Sequence, residues 1–475
     1  MQYQGVDEAA IRHFQKSIGP DYVLINPEAL ADYGHDETED LQYPPEVVLK
    51  PKSVSEISEI LHYCHRHYIP VTVSGARTGL SGGALPVFGG VALSTERLNR
   101  IIEIDEANLQ ATVEVGVINQ VFHEACREKG LFYPPDPSSW GSSFIGGNLA
   151  LNAGGPKAVK YGVTNAYVLS LEVVLADGRI IETGARVLKN STGYNLTQLM
   201  VGSEGTLGII TKATFRLLPY PKHNRLMLVP FASAEKACAA VSEIFRAGIT
   251  PSAMEFMERD AIDYTLKFVE EANLPTDPSV QAHLLIEVDG METEVLLEDC
   301  ERIAAIVEEY EAGEILFAES ESEKAALWKL RRKVGEAVKS HSIYKEEDTV
   351  VPRAELPVLL KGVKEIGARY GFQSVCYGHA GDGNLHVNIL KGNMGDHDWQ
   401  EELPKAIREI FELVVSLGGT ISGEHGIGLV QKDYLDIAFS ASNLQLQKQI
   451  KAVFDPHQIL NPGKIFSLEK SLSTA

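Results

Sequence analysis

The residues with the clearest chemical reach lie in Tyr377-Gly378-His379-Ala380-Gly381-Asp382-Gly383-Asn384-Leu385-His386-Val387-Asn388. Asp-Gly between two β-prone runs is a strong hairpin signal, so Asp382 and Gly383 are predicted at the centre of a primed turn. Counting outward from that turn pairs Gly381 with Asn384, Ala380 with Leu385, and His379 with His386. Two imidazoles so opposed share one face, with Cβ atoms roughly 4.5 to 5.5 Å apart, and one metal ion can take both. Asn388, two residues beyond His386, projects from the same face. A third ligand is offered by Ser422-Gly423-Glu424-His425-Gly426, where glycines on both sides let the backbone approach closely. The expected metal ligands are therefore His379, His386 and Glu424. Two histidines and a carboxylate with open positions form the ligand set of a catalytic site. The alternative is a cross-strand histidine pair beside an unrelated loop histidine.

Composition narrows what such a site could serve. The 475 residues suggest about three domain-sized units or two large ones. No apolar run approaches the roughly 20 residues of a membrane span. The opening Met1-Gln2-Tyr3-Gln4-Gly5-Val6-Asp7-Glu8 has neither the signal-peptide pattern nor an arginine-rich transit composition, so a cytoplasmic location is expected. Five scattered cysteines (Cys64, Cys126, Cys238, Cys300, Cys376) give no disulfide framework. A formal charge of -22 argues against nucleic acid and against an anionic membrane surface. An anionic substrate would then need a local cluster of cations. Trp328-Lys329-Leu330-Arg331-Arg332-Lys333, followed by Lys339, His341 and Lys345, is such a cluster, although taken alone a basic helical stretch is usually a solvated face.

The elements that must hold these residues follow in order. A helical lead-in with Ile11, Phe14 and Ile18 ends at Pro44-Pro45, and residues 46–50 form a strand. Ser53-Val54-Ser55-Glu56 is a capping box, opening a helix with Ile57, Ile60, Leu61, Cys64 and Tyr68 in one buried stripe. A strand over 71–74 leads at once into Gly75-Ala76-Arg77-Thr78-Gly79-Leu80-Ser81-Gly82-Gly83. Exposed backbone N–H groups there can wrap a phosphate, with Arg77, Thr78 and Ser81 adding donors. The pattern is neither Gly-x-Gly-x-x-Gly nor the Walker loop, so nicotinamide and nucleoside triphosphates are not indicated. Strands over 90–94, 101–105 and 110–115 precede a helix over 117–129 with Val121, Phe122 and Cys126 inside. In the denser glycine region from Gly141 to Gly155, Gly146, Gly147, Asn148 and Asn152 leave room for a flat cofactor against the backbone. Segments 169–176 and 179–183 form a hairpin about Asp177-Gly178. Beyond Pro219-Tyr220-Pro221, strands and longer helices alternate as in an antiparallel α+β domain.

Three of these stretches, Pro70 to Gly79, Gly146 to Gly155 and Gly202-Ser203-Glu204-Gly205-Thr206-Leu207-Gly208-Ile209-Ile210, together resemble the FAD-binding domain of the vanillyl-alcohol oxidase superfamily. With His379 to His386, Gly423 to Gly426 and Ile459-Leu460-Asn461-Pro462-Gly463-Lys464, the chain resembles its branch of D-lactate, glycolate and D-2-hydroxyglutarate dehydrogenases. The likeness runs from about Glu46 to Phe466. It implies an α+β fold with three parts: an FAD-binding domain over 1–221 (lead-in helices 1–44), a substrate or cap domain over 222–440 carrying the metal site, and a segment over 441–475 returning to the FAD domain. It assigns Ser74, Gly75, Ala76, Arg77, Thr78, Gly79 and Ser81 to the cofactor's pyrophosphate side. Pro135, Asp136, Ser142, Gly146, Gly147, Asn148, Asn152, Gly154, Gly155, Gly162, Glu204, Gly205, Ile209, Ile210 and Asn461 complete the FAD contacts. The first loop has no histidine, so the FAD is expected to be non-covalent. By the same resemblance Arg331 and Lys345 grip a substrate carboxylate. Gly335 departs from the hydroxyglutarate enzymes, which carry a hydroxyl residue there, although Tyr344-Lys345 looks like that subgroup.

The expected activity is oxidation of a D-2-hydroxy acid, D-lactate or glycolate foremost, to the 2-oxo acid by hydride transfer to FAD. A divalent metal, with zinc expected, would lower the pKa of the substrate hydroxyl. His425, with an ordinary pKa of about 6.5, would be the base, Arg331 and Lys345 the anchor, and Asn388 the orienting group. The alternatives are a D-2-hydroxyglutarate dehydrogenase, a metal-dependent hydrolase with merely structural glycine loops, and a non-catalytic flavoprotein subunit. The expected partners are the small anionic substrate and an electron acceptor of open identity, in a homodimer or a larger oxidase complex.

Overall fold

The computed structural model describes residues 3–39, 41–269 and 277–468. The chain divides into two units. One takes in residues up to Ala153, Val163–Tyr220 and the chain from Glu424 onward; the other takes in Gly154–Gly162 and Pro221–Gly423. The return to the first unit therefore begins at Glu424 and not at 441. Gly154, Gly155 and Gly162 belong with the second unit, because ion pairs hold their segment there. Lys157 pairs with Glu287, Lys160 Nζ lies 2.6 Å from Asp289 Oδ1, and the Tyr161 hydroxyl donates to the same oxygen at 2.7 Å.

In the first unit, β1 (Val23–Leu24), β2 (Val47–Leu49), β3 (Val71–Ser74) and β4 (Val91–Ser94) form a sheet in the order β1-β2-β4-β3. β2 and β3 both run parallel to β4, which requires a crossover, and the helix Val54–His67 supplies it. Its first turn is held by Ser53, which accepts from the Glu56 N–H. Ile57, Ile60, Leu61 and Cys64 are buried as expected, but Tyr68 is left 38 % exposed. The helix ends at His67, and Tyr68 sits in the left-handed region at φ +54° instead of extending the stripe.

A second sheet, antiparallel throughout, has the order β5-β6-β10-β8-β9, where β5 is Ile101–Asp105, β6 Gln110–Glu114, β8 Val168–Val174, β9 Ile180–Gly184 and β10 Ile209–Arg216. β7 (Leu131–Phe132) pairs separately with β11 (Leu218–Pro219). The predicted hairpin at Asp177-Gly178 joins β8 to β9, with Gly178 at φ +89°. The helix Asn119–Glu128 buries Phe122 and Cys126, four residues apart on one face. Val121 falls off that face and is exposed, against expectation. Leu460 makes a parallel bridge to Val71, so the C-terminal segment lies beside β3.

The second unit is built on one antiparallel sheet of seven strands, β15-β12-β14-β13-β17-β18-β16. These are β12 (His223–Phe231), β13 (Ala253–Glu258), β14 (Ala282–Gly290), β15 (Leu316–Ala318), β16 (Tyr344–Val350), β17 (Gln373–Gly378) and β18 (Asn384–Leu390). On one face Leu226, Leu228, Met257, Leu285, Val375, Tyr377 and Leu390 form a core with Ala261, Ile262, Leu327, Val334 and Val338. The latter come from the helices Arg259–Phe268, Glu321–Arg332 and Val334–His341. Ser320 and Glu323 make both halves of a capping box at the start of Glu321–Arg332, which fixes the helix that carries Arg331. The sequence predicts a helix over 261–272, and its expected end at 272 lies outside the described residues. Among the described residues no helix is long and apolar enough to cross a membrane.

Candidate active site

The hairpin carrying the two histidines forms, but in a different register from the predicted one. β17 pairs with β18 so that Tyr377, not His379, stands opposite His386. Asp382-Gly383 is not a two-residue turn. Residues 380–382 form a 3₁₀ turn, and His379 O accepts from both the Asp382 and Asn384 N–H groups at 3.2 Å. Gly383 then takes the left-handed conformation at φ +86°. His379 is thus a loop residue at a strand end, and its ring still meets that of His386 edge-on, with centroids 5.5 Å apart.

Each imidazole is backed by an acid. His379 Nδ1 lies 2.9 Å from both carboxylate oxygens of Glu255, and Arg331 Nη2 lies 2.7 Å from Glu255 Oε2. Burial by itself would raise the Glu255 carboxyl, but His379 and Arg331 outweigh it and hold the group below the usual carboxylate range. His386 Nδ1 lies 3.7 Å from Asp348 Oδ1 and 3.8 Å from Glu346 Oε1. Asp348 is fixed in turn by Asn384 Nδ2 at 2.7 Å, the Ser422 hydroxyl at 3.1 Å and the Gly423 N–H at 2.7 Å. With both Nδ1 atoms facing carboxylates, a metal would be held through the Nε2 atoms, the arrangement that orients imidazole ligands in metal sites. Glu255 is paired with Arg331, whereas the buried carboxylates of Glu346 and Asp348 face His386, and a divalent cation beside that ring would offset their charge. The donor set of this unit fits a metal. Glu424 and His425 follow Gly423 directly, so one peptide link, about 3.8 Å between Cα atoms, joins Glu424 to the residue that Asp348 holds.

Strand alternation sorts the remaining residues. Asp348 stands opposite His386 and Glu346 opposite Asn388, so the four side chains share one face of β16 and β18. Asn388 is fully buried. The Tyr377 hydroxyl donates to Glu346 Oε1 at 3.2 Å, and burial together with that anion pushes its pKa far up. Lys345 is opposite Ile389, and β16 pairs residue for residue without a bulge. Lys345 therefore projects to the other face, and the expected carboxylate clamp of Arg331 with Lys345 is not formed. Glu346, its neighbour, occupies the face where a lysine was expected. The sequence reading passed over Glu255, Glu346, Asp348 and Tyr377. Glu255 had a signal, a lone acid inside the apolar run Ala253-Met254-Glu255-Phe256-Met257, since a charge is seldom fully buried without a partner.

The first unit fits a phosphate-bearing flat cofactor by its own geometry. Among the described residues no N–H of residues 76–81 pairs with a backbone carbonyl, so Ala76, Thr78, Gly79 and Ser81 sit in a loop of open donors. Ser74 Oγ, Ser143 Oγ and Asn148 Nδ2 are buried without a hydrogen-bond partner, the kind of vacancy a bound ligand satisfies. Gly75 faces Gly147 across the cradle: a Cβ on Gly75 would lie 3.9 Å from the Gly147 nitrogen. A Cβ on Gly146 would come within 2.9 Å of Val115 Cβ, so glycine is needed for the helix Ile145–Leu151 to close on β6.

Several other assigned residues brace the cradle. Asn461 Oδ1 accepts from the Val73 N–H at 2.8 Å while its Nδ2 donates to Glu204 O at 2.6 Å, close beside Gly205. The Glu204 carboxylate accepts from the Ile427 and Gly428 N–H groups at 2.8 and 2.7 Å, yet burial still raises its pKa to about 7. Asn152 Oδ1 accepts from the Asn165 N–H, Pro135 O accepts from Asn119 Nδ2, and Ser81 donates to His425 O. Ile209 and Ile210 are buried against Val174 and Val173. Asp136 is half-buried, whereas Ser142 is exposed and donates to Ser139 O. Arg77 does not add a donor to the loop: its guanidinium pairs with Asp32 at 3.1 Å and stacks 4.2 Å over the Tyr33 ring. Lys464, within a motif but not assigned a role, is buried, donates to Leu85 O, and is lowered by burial to about 7.

Comparison with known proteins agrees with both halves. The family description "FAD binding domain" matches residues 45–184, and "FAD linked oxidases, C-terminal domain" matches residues 220–465. The chain is 42 % identical over 438 residues to the glycolate oxidase subunit GlcD of Bacillus subtilis, covering 92 % of each chain. It is 37 % identical to a D-lactate dehydrogenase of Anaerostipes hadrus, covering 98 % of each. A D-2-hydroxyglutarate dehydrogenase of Stutzerimonas stutzeri is 34 % identical, over 97 % of this chain and 99 % of that one. Among solved structures, p-cresol methylhydroxylase superposes with a TM-score of 0.80 at 18 % identity over 99 % of both chains. The 4-ethylphenol oxidase of Gulosibacter chungangensis superposes with a TM-score of 0.75 at 20 % identity over 98 % of this chain and 99 % of that one. These two likenesses establish the vanillyl-alcohol-oxidase-type fold, and the FAD-binding family match sets aside a hydrolase with merely structural glycine loops. Matched by family along most of its length, the chain belongs to the FAD-linked oxidases and is an FAD-linked oxidoreductase.

Proposed function

We propose that the protein oxidises a D-2-hydroxy acid, D-lactate or glycolate foremost, to the 2-oxo acid, with FAD bound non-covalently. The observation that carries this reading is the pair of acid-backed imidazoles, His379 at the end of β17 and His386 on β18, with Arg331 on the helix Glu321–Arg332 sharing the Glu255 carboxylate with His379. When bound, FAD supplies the hydride acceptor, and a divalent metal, zinc in the first instance, supplies positive charge beside the substrate hydroxyl. His379, His386 and Glu424 would hold the metal. Ser74, Gly75, Ala76, Thr78, Gly79, Gly146, Gly147 and Asn148 would hold the cofactor.

The chain's own groups do the rest. Arg331 takes the substrate carboxylate, because a planar guanidinium matches it in bidentate fashion. Glu255 holds that guanidinium and the His379 ring in fixed orientation. Asn388, rigid in the sheet, orients the hydroxyl. His425 accepts the hydroxyl proton as C2 loses hydride, so that the two-electron oxidation leaves a neutral carbonyl. Relatives named glycolate oxidase subunit and D-lactate dehydrogenase support a short side chain on the substrate. The relative named D-2-hydroxyglutarate dehydrogenase keeps a second carboxylate as the other reading. The subunit named among the relatives favours a larger assembly over an isolated chain.

The test is anaerobic flavin bleaching. Purified flavoprotein is mixed with D- and L-enantiomers of lactate, D-2-hydroxyglutarate and glycolate, before and after chelation. D-lactate or glycolate should bleach the flavin, L-lactate should not, and chelation should abolish the reaction. Bleaching by none of the hydroxy acids overturns the proposal.

A further inference from the structure

We infer that Glu346 is a specificity-determining residue that turns away hydroxy acids bearing a second carboxylate. The inference rests on the hydroxy-acid reading above and narrows it. The Glu346 side chain is 8 % exposed, and strand register places it opposite Asn388 on the face that carries His386 and Tyr377. Its Oε1 takes the Tyr377 hydroxyl at 3.2 Å and lies 3.8 Å from His386 Nδ1.

A purely structural role would be to orient His386, but Asp348 already stands 3.7 Å from the same nitrogen and is itself held by three hydrogen bonds. A second carboxylate at that ring is surplus to the task. Arg331, whose guanidinium lies 5.2 Å over the Tyr377 ring, is paired with Glu255. Lys345, the nearest lysine in sequence, projects from the opposite face of β16. The wall near Tyr377 gives no side-chain donor at Gly335 either, where a Cβ would sit 3.1 Å from the Tyr377 hydroxyl oxygen.

A substrate held by Arg331 through its C1 carboxylate therefore meets the carboxylate of Glu346, and not a lysine at that position, at this end of the site. A hydrogen, a methyl or a hydroxyl at that end is compatible with Glu346. A further carboxylate meets like charge inside a buried site, and such juxtaposition acts as a device against the wrong partner.

The experiment compares kcat/KM of the holoenzyme for D-lactate, D-glycerate, D-malate and D-2-hydroxyglutarate, in the wild type, Glu346→Gln and Glu346→Lys. The wild type should favour D-lactate and D-glycerate over both dicarboxylates. Glu346→Gln should raise the ratio of dicarboxylate to D-lactate activity about tenfold or more, and Glu346→Lys should raise it further. Flavin absorbance and thermal midpoint report folding of each variant, and the wild-type preference needs no variant at all. A wild type that prefers a dicarboxylate overturns the inference. So does a parallel fall with all four acids in Glu346→Gln, which would make Glu346 a positioning group for His386. If no hydroxy acid bleaches the wild-type flavin, the reading beneath falls first and takes this one with it.

Discussion

His379 Nδ1 sits 2.9 Å from both oxygens of Glu255, a carboxylate buried from solvent that also holds Arg331. One acid thus fixes the His379 imidazole and the Arg331 guanidinium at the same time. Neither residue is near Glu255 in sequence; β13, β17 and the helix Glu321–Arg332 bring the three together.

Replacing Glu255 by glutamine leaves Arg331 and His379 without their shared anion. Stability should fall by about 3 kcal/mol, the cost of breaking a buried pair, and turnover should fall as both partners lose orientation. Thermal unfolding and single-turnover flavin reduction measure the two effects. Because the Glu255 pKa is depressed in the fold, its contribution is present above the ordinary carboxylate pKa and is lost as pH falls through the depressed value. The difference in stability between wild type and Glu255→Gln should therefore shrink below about pH 4.

Arg331 and Lys345 should behave differently, although both were expected to grip the carboxylate. Arg331→Ala should raise KM and lower kcat together, by roughly 100-fold in kcat/KM, and Arg331→Lys should recover little of it because an ammonium cannot pair in bidentate fashion. Lys345→Ala should change kcat/KM by less than about twofold, since the residue points to the other side of the sheet. Equal losses at the two positions would contradict the strand register.

Removing the metal should separate oxidation from flavin binding. Treatment with a chelator should abolish hydroxy-acid oxidation while the flavin absorption band persists, and added zinc should restore turnover. His386→Ala should lose metal by elemental analysis and retain FAD. Full activity in metal-free protein would refute the ligand set.

Glu204 sets a pH dependence in the first unit. Burial raises its pKa to about 7, above its unfolded value, so the fold is favoured while the group is protonated. That contribution is complete below about pH 4.3 and is lost as pH rises through about 7. Glu204→Gln carries no charge to bury, so its stability relative to wild type should improve between pH 5 and pH 8 in paired thermal melts.

Much of the site was legible before any coordinates. Glycine clusters at 75–83 and 141–155, the order of motifs along the chain, and the His379–His386 spacing depend on local chemistry. Gly146 must lack a Cβ, and a strand that ends in open N–H groups offers them to an anion wherever it lies. The hairpin existed as expected, but its register did not follow from Asp382-Gly383. A 3₁₀ turn could satisfy the same backbone groups, and both arrangements suit that dipeptide. Arg77 was read as a phosphate donor because nothing local reveals that Asp32 and Tyr33 will be folded against it.

Sequence by itself determined the flavin family, because its motifs rest on residue type within short stretches, and it brought forward the two histidines by their spacing and the arginine by the family resemblance. Tertiary structure alone decided which acids surround them. A strand's pleat assigns alternate side chains to opposite faces, so a single step in register exchanges Lys345 for Glu346 and turns an expected cation into an anion. Glu255 and Asp348 acquire their roles only when strands remote in the chain are laid side by side, since burial and pairing are properties of the assembled sheet.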